Sequence, residues 1–131
     1  RTREVINRVG LTSQAGNLAR NLPHGDQRKL ELGMILAPDP EVLLLDEPTA
    51  GMAAEQVPVL IDLIQEIQEK GEKTVVLVEH NMNVVMSISD KITVMHLGKI
   101  LAEGKPSEIA ANEEVQTAYL GGLYELDVQK S

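Results

Sequence analysis

Two short aliphatic runs constrain this chain more than any other feature. Val42-Leu43-Leu44-Leu45 and Val75-Val76-Leu77-Val78 are each uniformly apolar, and each is too short for a helix. Both read as strands buried on both faces, as in a parallel sheet. Between them, residues 54–70 carry Val57, Leu60, Ile61, Ile64 and Ile67 at helical spacing, and Gly71 stops the pattern. Pro58 is tolerated because it lies near the first turn, and Glu66 and Lys70 form a favourable pair four residues apart. Strand, helix, strand is the unit of a parallel α/β fold.

The flanking segments extend this pattern. Val5, Ile6 and Val9 suit one face of a short helix ended by Gly10. Residues 26–37 predict a helix in which Leu30, Met34 and Ala37 recur, with Asp26 in the first turn and Pro38 beyond the end. Asn81 can cap a helix carrying Val84, Val85 and Ile88. Ile92, Val94 and Ile100 predict two strands turning at Leu97-Gly98, and Pro106 opens a helix with Ile109 facing inward. A last helix is expected over residues 113–120.

Composition removes several function classes. Hydrophobic residues make up 43% of 131, with no Phe, no Trp and two Tyr, so the core is aliphatic. A disordered tail is poorer in Leu, Ile and Val. The absence of cysteine removes a disulfide scaffold. No apolar run exceeds four residues, against the ~18 needed to span a bilayer. The net charge of −8 and the lack of aromatic platforms speak against nucleic acid as a partner.

Both strands end in polar residues: the first in Asp46-Glu47-Pro48-Thr49, the second in Glu79-His80-Asn81. Ligands of open α/β sheets bind at the carboxyl ends of the strands. Asp46 is a hard oxygen ligand suited to a divalent cation, Glu47 to activating water, and His80 to donating to phosphate. The plain alternative is that such acids only begin a loop or cap a helix. Glu79 is read as structural or solvated, and His96, beside the turn, as solvent-facing. Leu22-Pro23-His24-Gly25-Asp26-Gln27 precedes a helix whose N–H groups suit an anion, although Asp26 opposes one and an ordinary Pro/Gly loop is the alternative. The histidines lack zinc-ligand spacing.

Taken together, this order resembles the carboxyl-terminal half of the ATP-binding-cassette (ABC) ATPases, the motor subunits of ABC transporters. Residues 22–27 match the signature motif, Val42 to Glu47 the Walker B strand, Ala50-Gly51-Met52-Ala53 the D-loop, and His80 the switch histidine. The likeness runs from Val5 to Gly121. The stretches Leu22–Met34 and Asp46–Met52, with the ending Tyr119-Leu120-Gly121, are most similar to importers of branched-chain amino acids or urea.

The resemblance implies a partial ABC ATPase domain. Residues 1–37 would end the helical subdomain, and residues 38–131 would run from Walker B to the carboxyl terminus. The sheet would be mostly parallel, with a terminal hairpin and without the phosphate-loop strand. ATP and Mg²⁺ are the implied cofactors: Asp46 would help hold the metal, Glu47 would polarise the attacking water, and His80 would contact the γ-phosphate. His24, Gly25, Asp26 and Gln27 would close over ATP bound to the opposite subunit of a head-to-tail dimer. Membrane permease subunits would be the other partners, on the cytoplasmic face of the cell membrane.

Three features depart from the family. The loop G-x-x-x-x-G-K-[S/T] is absent: Gly98-Lys99 and Gly104-Lys105 lack the earlier glycine, with Thr93 and Lys99 in its place. Pro23 replaces the signature serine and has no hydroxyl or N–H to give, and Ala53 replaces the D-loop aspartate. The chain is expected to be a fragment of a longer ATPase, with a gap between the His80 and Ile92 strands that exposes unpaired edges and favours self-association or rearranged pairing. Two rivals remain. One is a DNA-repair or chromosome-maintenance ATPase of the same superfamily, opposed by the transporter-like hairpin and Gly104–Glu108. The other is a non-catalytic module pairing with a competent ATPase.

The chain alone is expected to turn over ATP poorly or not at all. A Mg²⁺-dependent phosphate release assay on the purified chain checks this, and turnover abolished by Glu47→Gln would contradict it.

Overall fold

The structure is a computed structural model and describes residues 1–71 and 73–120. Gly121, in the importer-like ending, lies outside the described residues. The chain forms two compact units, Arg1–Val84 and a second beginning at Val85.

In the first unit, α1 (Thr2–Arg8) leads through 3₁₀ turns to α2 (His24–Leu36), β1 (Val42–Asp46), α3 (Val57–Glu69) and β2 (Thr74–Val78). β1 and β2 pair in parallel, from Val42 opposite Thr74 to Asp46 opposite Val78. The last bond of this frame lies beyond the strand, where Glu47 N–H donates to Val78 C=O at 2.7 Å. Ala54–Gln56 form a 3₁₀ turn, and Pro58 sits in the first turn of α3, where its missing N–H costs no helical bond. Leu60, Leu63, Ile64 and Ile67 are buried on α3, as are Leu43 and Leu45 on β1 and Val9, Leu11 and Leu22 before them. Each such side chain contributes about 1.5–3 kcal/mol.

Two expectations need correction. The strands are not buried on both faces. Leu43 is 1% exposed and Leu44 71%, and Val42, Val76 and Val78 are also exposed. The pleat sends alternate side chains to opposite faces, and only one face is covered by described residues. On α2, the buried positions are Gly25, Leu32, Gly33 and Leu36, whereas Met34 is exposed. The inward stripe is therefore rotated from the Leu30, Met34 and Ala37 pattern.

The second unit holds an antiparallel hairpin of β3 (Ile92–His96) and β4 (Lys99–Gly104), with a bulge between Val94 and Met95. Leu97 and Gly98 both adopt positive φ, 50° and 75°, which matches a tight two-residue turn to strand twist. α4 (Met82–Ile88) links the two units in sequence, and α5 (Pro106–Ala110) and α6 (Glu113–Val115) follow the hairpin. The expected last helix is split, with Gln116–Leu120 in a π turn. Ile92, Val94, Ile109 and Val115 form this unit's core. β1–β2 and β3–β4 are separate sheets. The His80 and Ile92 strands thus belong to different sheets, as the missing phosphate-loop strand implies.

The two faces of β1 should respond unequally to truncation. Leu43→Ala should cost roughly 2–5 kcal/mol, the range for a large-to-small change in a core. Leu44→Ala should stay within about 1 kcal/mol, as at an exposed site. Urea denaturation midpoints check the contrast.

Candidate functional site

Parallel, in-register pairing places the residues after β1 beside those after β2. Asp46 ends β1 opposite Val78, and its side chain is exposed on the rim. Glu47 then leaves the strand with φ 45°, in the left-handed region that costs a non-glycine residue free energy. This backbone takes Glu47 out of the strand's alternation. Its Oε1 lies 3.1 Å from Nδ1 of His80. Both side chains are open to solvent, 50% exposed for Glu47 and 74% for His80. An ionised carboxylate only accepts, so Nδ1 carries the proton in this contact.

A second contact joins Thr49, two residues after Glu47, to Glu79, one residue before His80, and sequence reasoning missed it. Thr49 is buried, and its N–H donates to Glu79 Oε1 at 3.0 Å, joined by its own hydroxyl. The other carboxylate oxygen, Oε2, accepts from the N–H groups of His80 and Asn81, each at 3.2 Å. Asn81 in turn caps α4 by accepting from Asn83 N–H at 3.2 Å. Of the two uses the sequence allows for Glu79, structural or solvated, the structure shows the structural one. The signal was partly legible: parallel register brings residues 47–49 beside residues 79–81, where a Thr hydroxyl is within reach of a Glu carboxylate. Partial burial pushes the Glu79 carboxyl up, but the hydrogen bonds from Thr49, Asn81 and His80 together hold it below the usual glutamate range.

The signature-like residues 22–27 pack against the loop of residues 50–56 and against their own loop and helix. Gly25 is buried, and a Cβ there would lie 2.0 Å from Oε1 of Gln56, so the Gln56 carboxamide packs directly on it. His24 sits over Gly51 (φ 73°), where a Cβ would come within 2.8 Å of Nε2. Only glycine suits that backbone and that approach. Asp26 pairs with Lys29 at 3.0 Å, and Gln27 turns back to Leu22 C=O at 2.9 Å. Arg28 donates to Ala50 C=O at 3.3 Å. The loop of residues 22–27 is thus joined to that of residues 50–56. The geometry brings Glu47 and His80 together beside Asp46, and turns Asp26 and Gln27 to partners within their own loop and helix.

Among the described residues, no three His, Cys, Asp or Glu are close enough to hold a metal ion by themselves. Asp46, exposed at the rim, offers a carboxylate of the kind that holds Mg²⁺ together with waters and phosphate. No helix among the described residues is long and apolar enough to cross a membrane.

This fold is shared with proteins of ABC transporters whose structures are solved. Two solved structures carry the same fold. An ATP-binding cassette of an ABC transporter, MJ1267 in its ADP conformation, matches with TM-score 0.81 and 25% identity, over 92% of this chain and 48% of that one. The cbiO1 protein of the cbiONQ ABC transporter complex from Clostridium perfringens matches with TM-score 0.77 and 26% identity, over 95% and 51%. The ABC transporter family model matches residues 1–50, and the model of the branched-chain amino acid ATP-binding cassette transporter matches residues 99–124.

Among individual proteins, this chain is similar to the high-affinity branched-chain amino acid transport ATP-binding protein LivG of Salmonella typhimurium. The two are 44% identical over 88% of this chain and 46% of the relative. The corresponding protein BraF of Pseudomonas aeruginosa is 41% identical over the same shares. The methionine import ATP-binding protein MetN 2 of Pectobacterium atrosepticum is 34% identical over 87% of this chain and 34% of its own. The chain thus spans about half the length, or less, of the curated relatives it matches.

The carboxylate of Glu79 makes a pH prediction. Its folded-state pKa is depressed, so the stability it contributes is present above the ordinary glutamate value of about 4.3 and is lost as pH falls through the lower folded value. The gap in urea midpoint between the native chain and Glu79→Gln should therefore be widest near neutral pH. It should narrow as pH falls through that range.

Proposed function

We propose that this chain is the part of an ABC-transporter ATP-binding subunit that carries the hydrolytic acid and the phosphate sensor. Residues 1–37 end its helical subdomain, and residues 38–131 run from the Walker B strand onward. The longer protein hydrolyses ATP to drive import of branched-chain amino acids or a related small solute such as urea. It does so as a head-to-tail dimer, with permease subunits, on the inner face of the cell membrane. The observation that carries this reading is the contact of Glu47 with His80, one residue beyond a parallel strand ending in Asp46. The relatives' roles in branched-chain amino acid transport support the choice of solute.

The residues divide the work. Asp46 would hold Mg²⁺ through its exposed carboxylate. The metal, when bound, neutralises charge building on the phosphates. Glu47 orients and polarises the attacking water, and because Oε1 is engaged by His80, Oε2 is the oxygen that faces the water. With Nδ1–H given to Glu47, His80 meets phosphate through Nε2. Donation from that atom requires the imidazolium form. His24 and Gly25 approach the nucleotide held by the opposite subunit, a closure that needs Gln56 to leave Gly25.

The same packing of Gln56, with Pro23 and Ala53, favours a second reading, a non-catalytic module beside a competent ATPase. Hydrolysis by the full-length protein with its permease partners separates the two. We expect Mg²⁺-dependent turnover that falls roughly 10²–10⁴-fold in Glu47→Gln, the range for removing a general base. Turnover unaffected by that change would reject the first reading.

A further inference from the structure

We infer that Glu79 is a positioning residue for the acid–imidazole pair: its carboxylate ties the loop after β1 to the end of β2 and so holds Glu47 within hydrogen-bond reach of His80. The inference rests on the proposed function, which makes Glu47 and His80 the reacting pair, and it gives Glu79 no chemistry of its own.

The exposed pair cannot be expected to hold itself together. Ion pairs open to water contribute little, because solvent screens them and both side chains lose rotamer freedom. Glu47 also stands on backbone with φ 45°, which relaxes unless its surroundings oppose the change. The loop after β1 has internal turns, Ala50 N–H to Glu47 C=O at 3.0 Å and Met52 N–H to Thr49 C=O at 3.1 Å. These shape the loop but do not join it to β2. Besides the exposed pair itself, the contacts among the described residues that tie this loop to the end of β2 are the Glu47 N–H to Val78 C=O bond and those of Glu79.

The two oxygens of Glu79 serve different loops. Oε1 takes two donors from Thr49, two residues after Glu47, and Oε2 takes the N–H groups of His80 and Asn81. Thr49 is buried, so its donors depend on the carboxylate for their hydrogen bonds. Removing the clip leaves them unpaired, and the loop must shift to reach solvent. That shift carries Glu47 away from His80.

The tautomer of His80 reports the result directly. At alkaline pH, where the ring is neutral, contact with Glu47 favours the proton on Nδ1, whereas an imidazole in water prefers Nε2. In the chain labelled with ¹⁵N-histidine, NMR should find His80 mainly as Nδ1–H. Glu47→Ala should abolish that preference. Glu79→Ala should move the Nδ1–H to Nε2–H ratio roughly two- to five-fold toward Nε2–H, the span of an exposed pair's worth. Thr49→Val should move it the same way by less.

A role limited to overall stability would lower the folded fraction and leave the tautomer of folded molecules unchanged. An Nδ1–H majority that persists in folded Glu79→Ala overturns the inference, as does its absence in the native chain. If Glu79→Ala does not fold, Glu79→Gln and Thr49→Val are read by the same criterion. No nucleotide enters the measurement. An unchanged tautomer therefore leaves the ATPase reading intact, and a full-length protein without hydrolysis leaves the tautomer result intact.

Discussion

The parallel pairing of β1 with β2 is the constraint on which the site depends. Five residues on each strand pair in register, and Glu47 N–H continues the frame to Val78 C=O. A slip of one residue would exchange the two faces of a strand, putting Leu43 and Leu45 in water and Leu44 in the core. It would also part Thr49 from Glu79 and Glu47 from His80. The hydrophobic pattern that sets the core therefore sets the chemistry at the rim. The same aliphatic side chains serve stability and the placement of polar groups they do not touch.

The polar rim illustrates two regimes of electrostatics. The Glu47–His80 pair lies in solvent, where a single contact is weak and its geometry is loosely held. Glu79, half-buried and accepting four hydrogen bonds, lies where each unmade bond is costly. Placing the stiff contact directly behind the soft one leaves the exposed pair accessible yet confined. In the proposed function, Glu47 and His80 are then free to exchange their contact for water and phosphate, while the loops that carry them stay fixed.

Much of this was legible in the residues. The two aliphatic strands, the helix between them, the Asn81 cap, the turn at Leu97-Gly98 and the inward Ile109 follow from period, propensity and turn chemistry. The convergence of Glu47 and His80 follows once the strands are taken as parallel neighbours. What was not legible depends on surroundings that no local pattern encodes. A uniformly apolar strand looks the same whether one face or two is covered, so the exposure of Leu44 and Val76 could not be read. The rotation of α2 turns on Gly33 and Gly25, which carry no hydrophobic signal but are buried. Likewise Gln56 occupies the Gly25 surface because the loop of residues 50–56 folds back on α2, a long-range event. Glu79 was within reach of the register argument, but an acid after a strand has several plain uses.

The left-handed backbone at Glu47 has a consequence for how this segment can vary in length. An added or deleted residue between Asp46 and Thr49 would shift which side chain occupies that conformation. It would also change the distance over which the buried threonine must reach across. Among the described residues, the turn at Leu97-Gly98 joins two strands that pair with each other alone, so a longer connection there need only rejoin the hairpin. Variation in loop length should therefore be tolerated at Leu97-Gly98 and excluded between Asp46 and Thr49, even though both turns are short.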